Sequence, residues 1–459
     1  MKIAIIGSGI AGNVVAECMH QHHDIHVFEA GDHVGGHSDT QDVELGGRHY
    51  SVDTGFIVYN DLTYPNFAAL LSRHGVPTQE SSMSFSVRCE RTGLEYNGNT
   101  LNSLFAQRRN LLRPGFWRMI REILRFNREA PALLDDDSPE RDVALGSYLA
   151  QGRYSREFID WYIVPMGAAI WSTDPARMLD FPARCFVRFF HNHGMLTWNQ
   201  RPVWRTVTGG SREYVRRLTA PFRDRIRLRT PVLAVHRFAD HVDVVTAAGG
   251  TERFDQVFMA CHSDQALALL ADPTPLESAV LGAIPYQASD MILHTDSRLL
   301  QRRQLARAAW NYHLLRDVIP CDHALHPAPS AATVTYDMNI LQSIDSPETF
   351  CVTLNRPDAI DPARILRRLT YHHPVYTTEG IAAQARHADV NGVRRTYFCG
   401  AYWRYGFHED GVVSALAALD HFASRESVEI VRPGTQPAEQ PRAVPQPGGD
   451  HVRHPGLAL

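Results

Sequence analysis

A strand, a glycine-rich turn, a helix, a second strand and an acid follow one another at the start of the chain. Lys2–Ile6 is a short apolar run, typical of a buried parallel strand. Gly7, Gly9 and Gly12 have the spacing that brings backbone against a diphosphate and packs the next helix on the strand. Glu29 ends the second strand, where a carboxylate binds a ribose 2′-hydroxyl and disfavours a 2′-phosphate. This order predicts a Rossmann-like dinucleotide site.

Composition narrows the class of protein. A chain of 459 residues is too long for one ordinary core, which predicts two domains. The formal net charge of −4 gives no reason to expect a nucleic-acid partner. The 7 cysteines form no CxxC pair, which predicts reduced thiols, a cytoplasmic location and no metal site. No apolar run is long enough for a membrane span, and the strand at Lys2 leaves no room for a signal peptide.

A paired-glycine turn and a short acidic motif follow Glu29. The turn is Gly35-Gly36-His37, and a β-branched strand later leads into Asp53-Thr54-Gly55-Phe56. An ordinary NAD domain continues from its ribose acid into another helix, whereas this chain enters a small sheet. In these motifs the chain resembles the flavin-containing amine oxidase and phytoene desaturase superfamily, which carries GG[R/H]xxT and DxG elements.

Later segments extend the resemblance over most of the chain. Gly209-Gly210-Ser211 opens a helix, and a strand with Val232 follows where the superfamily holds adenine by backbone bonds. The segment from Gly400 to Gly411 resembles the closing flavin motif, whose last helix points its N-terminus at the flavin. The resemblance implies that the protein is an FAD-dependent oxidoreductase.

Two positions depart from the superfamily pattern. Ala401 stands where relatives commonly have an acid that bonds the ribityl chain, and either Glu409 or Asp410 could replace that acid. His37 stands where most relatives have arginine, and it could contact a phosphate, anchor the flavin covalently or form an ordinary loop hydrogen bond. The residues predicted to bind FAD are Gly7, Ser8, Gly9, Ile10, Ala11, Gly12, Glu29, Ala30, Gly35, Gly36, His37, Thr54, Gly55, Phe56, Val232, Gly400, Glu409, Asp410, Gly411 and Val412.

The motifs divide the chain into discontinuous domains within an α/β fold class. Residues 1–99, 205–262 and 392–425 are predicted to form the Rossmann-like FAD-binding domain. Residues 100–204 and 263–391 are predicted to form an α+β substrate domain with helical cover. Residues 426–459 are rich in proline, glycine and glutamine, which predicts a disordered tail.

One helical segment of the predicted substrate domain is rich in arginine. From Arg108 to Arg128, seven arginines alternate with aliphatic and aromatic residues. Such a pattern is typical of an interfacial helix on anionic lipid, and equally of a solvated helix face that packs on its own core. Peripheral membrane contact is therefore one of two interpretations.

The candidate catalytic residues follow from what a flavin enzyme requires. The protein must align a C–H bond with the flavin, exclude water and, where needed, remove a proton. Many amine oxidases use a lysine bridged through water to the flavin, but the only lysine here, Lys2, begins the first strand. Aromatic walls suit neutral amines and unsaturated hydrocarbon chains alike. The candidates are Tyr402, Trp403, Tyr405 and Phe407 as an aromatic wall, and His372, His373 and His408 as a base or proton shuttle.

The GGHxxT motif and two later stretches, Tyr371–Tyr376 and Gly406–Gly411, also resemble a narrower group. This group is a bacterial branch of predicted flavin amine oxidases, many of them associated with fatty-acid modification. The resemblance implies hydride removal from a hydrophobic, fatty-acyl substrate, with oxygen or a redox partner as electron acceptor. Two alternatives stay open: an amine oxidase that produces hydrogen peroxide, and a non-redox flavoprotein in which the flavin serves isomerisation or structure.

Overall fold

The structure is a computed structural model that describes residues 1–135, 143–197, 202–315, 332–428 and 430. The strands of this part of the chain are β1 (Lys2–Ile6), β2 (Asp24–Phe28), β3 (Thr40–Leu45), β4 (Arg48–Asp53), β5 (Tyr59–Asn60), β6 (Thr78–Glu80), β7 (Phe85–Cys89), β8 (Leu94–Asn97), β9 (Trp204–Val207), β10 (Ile226–Arg227), β11 (Val232–Arg237), β12 (Val242–Thr246), β13 (Thr251–Phe254), β14 (Gln256–Met259), β15 (Tyr286–His294), β16 (Trp310–Leu314), β17 (Val334–Asp337), β18 (Cys351–Leu354), β19 (Ile365–Pro374) and β20 (Thr396–Phe398).

The α-helices of the described residues vary from a single turn to 19 residues. They are α1 (Ile10–Met19), α2 (Pro65–Arg73), α3 (Leu101–Leu104), α4 (Pro114–Glu129), α5 (Leu145–Gln151), α6 (Arg156–Phe158), α7 (Val164–Trp171), α8 (Ala183–Asn192), α9 (Arg212–Thr219), α10 (Ser263–Leu269), α11 (Pro275–Leu281), α12 (Met338–Leu341), α13 (Thr378–Gln384), α14 (His387–Val390) and α15 (His408–Glu426).

A five-stranded parallel sheet forms the first unit. Its order is β10-β2-β1-β14-β20, and Ile6 at the end of β1 pairs with Phe28 and Met259. Burial on both faces explains the continuous apolar sequence of β1. α1 is buried along its whole length and packs between this sheet and α15. The order of elements confirms the Rossmann-like prediction, and the carboxyl ends of the strands meet at one edge.

A seven-stranded sheet forms the second unit. Its order is β19-β15-β18-β17-β16-β7-β8, and all its pairs are antiparallel except β16 with β7. β7 and β8 thus pair outside the parallel sheet, although the predicted domain boundary put residues 1–99 in the FAD-binding domain. Apolar residues of α4 and α7 share one core with this sheet, and α4 to α8 enclose a second, largely aromatic core.

Three small sheets accompany the two units. They are β3-β4, β5-β9-β6 and β11-β12-β13, each antiparallel within the described residues. The remaining domain boundaries stay predictions. The predicted disordered tail, residues 426–459, lies almost entirely outside the described residues.

Candidate dinucleotide and substrate site

The carboxyl edge of the parallel sheet has the backbone geometry of a dinucleotide cradle. Gly7 has a φ of 107°, and a Cβ at this position would lie 2.5 Å from the carbonyl oxygen of Ala260. At Gly12 a Cβ would lie 2.0 Å from the carbonyl oxygen of Gly7, so only glycine lets α1 approach β1 so closely. A Cβ at Gly9 would meet nothing within 4 Å. Gly9 therefore opens space for a ligand at the N-terminus of α1, whose positive dipole end favours phosphate.

Glu29 holds the turn between β1 and α1 next to the cradle. Its Oε2 accepts hydrogen bonds from the backbone amide of Ser8 at 3.0 Å and from Ser8 Oγ at 2.5 Å. Its Oε1 accepts one from the amide of Gly31 at 2.8 Å. Glu29 and Ala30 line the same cavity as Thr230 and Val232, which places the predicted ribose and adenine residues at one end of it.

The paired glycines approach the first turn directly. The amide of Gly35 donates to the carbonyl of Ser8 at 3.0 Å, and a Cβ at Gly36 would lie 3.2 Å from Cα of Gly9. The chain then leads through His37 to Gly55, where a Cβ would lie 2.1 Å from the carbonyl oxygen of His37. These contacts bring Thr54, Gly55 and Phe56 to the cavity wall beyond the diphosphate cradle.

Asp53 of the DxG element holds three segments together instead of facing the cavity. Its carboxylate accepts hydrogen bonds from Thr40 Oγ1 at 2.6 Å, from the Ser211 amide at 2.9 Å and from Gln342 Nε2 at 2.9 Å. Burial raises the pKa of Asp53 to about 6. Because Gln342 follows α12, this carboxylate joins the glycine motif around Ser211 to the second unit.

The closing motif divides into lining and buried residues. Gly400, Ala401, Tyr402, Tyr405, Phe407 and His408 line the cavity. Trp403 is buried instead in the core beside the parallel sheet, where its ring contacts His387. Gly411 and Val412 lie at the contact of α15 with α1, where a Cβ at Gly411 would meet Ile10 Cγ2 at 2.6 Å.

The two acids of the closing motif do not line the cavity. Glu409 accepts hydrogen bonds from the amide of Phe67 at 2.9 Å and from Asn66 Nδ2 at 2.6 Å, so it caps α2. Asp410 Oδ2 accepts from the amides of Phe407 at 2.9 Å and Tyr405 at 3.2 Å, and burial raises its pKa to about 7. Both carboxylates therefore hold backbone amides beside the cavity, and a contact of either one with the ribityl chain stays a prediction.

His408 is held as a neutral imidazole. Its Nε2 lies 2.9 Å from Ser38 Oγ and 3.0 Å from the Tyr214 hydroxyl, and its ring stacks on Phe56 at 3.7 Å. Burial lowers its pKa to about 3. A ring engaged in this way positions the wall around Phe56, and a role of His408 as proton shuttle stays a prediction.

His193 is the histidine that lines the substrate end of the cavity. Its Nδ1 lies 2.9 Å from the carbonyl of Phe189, to which it can only donate, so Nε2 is left as a proton acceptor. Burial lowers its pKa to about 4. The predicted base His372, by contrast, groups with His37 and His262 near the dinucleotide cradle.

A single cavity of about 1090 Å³ joins the dinucleotide cradle to the second unit. Its substrate wall comes from separate segments that the motif analysis missed, including Ile57, Met83, Phe85, Tyr96, Ile120, Ile123, Tyr162, Met166, Trp171, Met291 and Trp310. Part of this wall could have been predicted from the sequence, because Ile120, Ile123 and Asn127 recur at helical spacing in α4. Of the described residues that line the cavity, Glu29 is the only one with a carboxylate, lysine or arginine side chain.

Lys2 lies at the opposite end of β1 from the cavity, as the sequence predicts. Its Nζ is 3.7 Å from Glu252 Oε2 and 4.6 Å from the centre of the Phe254 ring. Among the described residues, no group of three or more His, Cys, Asp or Glu side chains could hold a metal ion.

Comparison with known proteins agrees with this geometry. No curated protein sequence matches the chain. Similar solved structures include a cyclohexylamine oxidase from Brevibacterium oxydans IH-35A, with 16% identity, coverage of 93% of this chain and 99% of the other, and a TM-score of 0.66. A CLA-producing fatty acid isomerase from P. acnes has 15% identity, coverage of 93% and 98%, and a TM-score of 0.64. A putrescine oxidase bound to putrescine has 14% identity, coverage of 92% and 99%, and a TM-score of 0.64.

At these identities the solved structures establish the shared fold. A sequence model described as flavin containing amine oxidoreductase matches residues 10–310, about two thirds of the chain. The open space at Gly9, the ribose acid and the α1 N-terminus fit the FAD that this family binds. The chain therefore belongs to the flavin-containing amine oxidoreductase family and is an FAD-dependent oxidoreductase.

Proposed function

We propose that this enzyme removes a hydride and a proton from neighbouring carbons of a lipid acyl chain and leaves a double bond; the proton passes to a base at the cavity, for which Nε2 of His193 is available. Bound FAD supplies the hydride acceptor. The observation that carries the proposal is the substrate wall, which within the described residues contains aliphatic, aromatic and neutral polar side chains and no carboxylate, lysine or arginine.

An uncharged wall selects against a charged substrate. A protonated amine that enters it would lose its hydration without gaining an ion pair, at a cost of several kcal/mol, so an amine substrate would have to enter as the neutral base. An acyl chain gains free energy from the same transfer, about 0.8 kcal/mol per buried methylene group. The wall also excludes water from the reacting carbon, as hydride transfer requires.

The residues at the open, substrate end of the cavity favour a membrane lipid as the source of the acyl chain. Leu101 and Leu104 line the cavity, and the side chain of Leu101 is 74% exposed. Leu112 is 87% exposed, and Trp117 of α4 packs on Phe105 and donates a hydrogen bond to the Leu111 carbonyl. We call this surface the α3–α4 face; its exposed apolar residues are Leu101, Leu111, Leu112, Trp117 and Leu124.

The charge of the α3–α4 face matches an anionic bilayer. Residues 101–129 contain seven arginines and two acids: Glu122, which is buried and accepts a hydrogen bond from the Ser155 amide, and Glu129, which pairs with Arg125 and Arg128. Arg118 pairs with Glu157, so the face keeps a net positive charge that is smaller than its arginine content. On α4 the stripe with Trp117 and Leu124 borders the stripe with Ile120 and Ile123 that lines the cavity. No α-helix of the described residues has the length and apolarity of a membrane span. We infer peripheral docking on anionic phospholipid, with the acyl chain drawn in at this face.

Vesicle binding tests the docking. We expect the protein to sediment with phosphatidylglycerol vesicles at low salt, and Leu112→Glu with Trp117→Glu to weaken binding at least about tenfold, because the change removes apolar contact and adds negative charge. Leu233→Glu, at an exposed leucine of β11 outside this face, is the control and should bind normally. Equal binding by all three proteins would contradict this surface.

The similar structures bear on the acyl proposal and on both alternatives. The fatty acid isomerase handles an acyl chain in the same fold, whereas the cyclohexylamine and putrescine oxidases act on amines. Product analysis separates the outcomes. Desaturation predicts a lipid lighter by one H₂ for each flavin reduced, amine oxidation predicts an imine or aldehyde, and isomerisation predicts a moved double bond with unchanged mass and an oxidised flavin.

A further inference from the structure

Four histidines form a group on one side of the dinucleotide cradle. The ring centre of His37 lies 5.7 Å from that of His373 and 6.1 Å from that of His262, and His372 is close enough to act electrostatically on all three. We call these residues the histidine quartet. His37 Nε2 and His373 Nδ1 are buried and have no hydrogen-bond partner among the described residues.

The histidine quartet lies at the predicted binding site of the FAD diphosphate. His37 follows Gly36, which touches Gly9, and His262 follows β14, two residues beyond the Ala260 carbonyl that contacts Gly7. All four histidines line the same cavity as Gly7 and Gly9. The diphosphate of a dinucleotide binds at this edge of the sheet, against the N-terminus of the first helix.

The cavity offers the diphosphate little permanent positive charge. No lysine or arginine is among its described lining residues, and the end of α1 contributes only about half an elementary charge. The diphosphate of FAD carries two negative charges. The imidazoles are the remaining groups at the cradle that can become cations.

Without a bound anion, three members of the quartet stay neutral near pH 7, because their pKa values are low. Burial first, and mutual repulsion second, lower the pKa of His37 and His262 to about 4 and that of His373 to about 3. The other titratable groups packed around the quartet are Tyr286, which stacks on His262, Tyr371, Cys261 and His408. Asp39, the neighbouring carboxylate, accepts hydrogen bonds from the Tyr371 hydroxyl at 2.8 Å and from Gln41, and it is not among the groups that shift the pKa of His37, His262 or His373.

We propose that the histidine quartet is the counter-charge of the FAD diphosphate, so that FAD binds together with one or more protons. The anion stabilises an imidazolium that the free protein does not hold. FAD affinity is then greatest at acidic pH and falls as the pH rises toward the pKa that the imidazolium has in the FAD complex. An arginine in place of the histidine would not produce this pH dependence.

Proton uptake on the unmodified chain is the primary test. FAD-stripped protein is titrated with FAD by calorimetry at about pH 6 in two buffers of different ionisation enthalpy. We expect the heat to differ between buffers by an amount that corresponds to uptake of about one proton, and the dissociation constant to rise up to about tenfold per pH unit above the point where uptake begins. Buffer-independent heat together with a constant affinity from about pH 5.5 to about pH 8.5 would overturn the proposal.

Variants of His37 and His193 test which group takes up the proton when FAD binds. His37→Gln should reduce both the uptake and the pH slope, and His37→Arg should bind FAD tightly at all these pH values with a reduced slope. His193→Gln changes a cavity histidine whose pKa is also lowered to about 4 but that lies at the substrate end, so its slope should match that of the parent. A full slope that persists when His37, His262, His372 and His373 are all replaced by glutamine, with FAD still bound, would place the proton outside the quartet.

Discussion

The two ends of the cavity are built in different ways. At the dinucleotide end, backbone atoms of Gly7, Gly9 and Gly36 form the surface, and the parallel sheet fixes their positions through paired strand ends. At the substrate end, the surface consists of side chains from α4, α7, β7 and β16 that come from distant parts of the chain. The first end is therefore sensitive to any added side chain, and the second to the polarity of the side chains it already has.

The largest expected effect concerns the dinucleotide end. Gly9→Val fills the space that the cradle leaves open, and we expect FAD affinity to fall more than about 100-fold, since a few kcal/mol of steric cost suffices. Flavin absorbance per protein after purification measures the loss. Gly250→Val, at an exposed glycine with an ordinary φ whose Cβ would meet only Thr246 Oγ1 at 3.9 Å, is the control and should retain full flavin. Normal flavin content in Gly9→Val would contradict the assignment of this edge.

The second prediction concerns the substrate end. Ile123→Glu puts a carboxylate on the apolar wall, and we expect at least about a tenfold increase in KM for an acyl substrate, because the buried charge has no partner there. Flavin content should stay normal, since Ile123 lies away from the cradle. Ile123→Leu keeps the wall apolar and should stay within about threefold of the parent. Loss of flavin together with loss of activity in Ile123→Glu would show that the two ends are not separable.

The last prediction concerns stability and Asp410, in the first turn of α15. Its pKa is about 7 in the folded protein and 3.8 in the unfolded chain, so ionisation costs stability as the pH rises from about 4 to about 7. We expect the unfolding free energy to decrease by about 3 kcal/mol more in the parent than in Asp410→Asn over this range. Urea unfolding at fixed FAD concentration measures it. Parallel pH profiles would mean that Asp410 is ionised freely in the folded state.

The same contrast explains what sequence could predict. The cradle follows from local spacing, so the strand, the glycines and Glu29 could be placed without a structure. The substrate wall depends on contacts between segments such as Phe85 and Trp310, which are neighbours only because β7 pairs with β16. No short motif encodes that pairing.

The closing motif shows a second limit. The sequence placed Glu409, Asp410 and Trp403 at the site, but spacing alone does not say which side chains of a loop and a helix start turn inward. In the structure Glu409 caps α2 and Trp403 packs on His387, whereas Tyr402 and Tyr405 line the cavity. The grouping of His372 with His37 also required the register of β19 against β15, which only the folded sheet provides.

Anaerobic absorption spectroscopy tests the central claim most directly. The purified flavoprotein is mixed without oxygen with phosphatidylglycerol vesicles that carry unsaturated or methylated acyl chains, and separately with a panel of amines. We expect the oxidised flavin band to bleach with the lipid and to persist with the amines. Bleaching with an amine and not with lipid would contradict acyl oxidation and identify the enzyme as an amine oxidase that works without a lysine at its site.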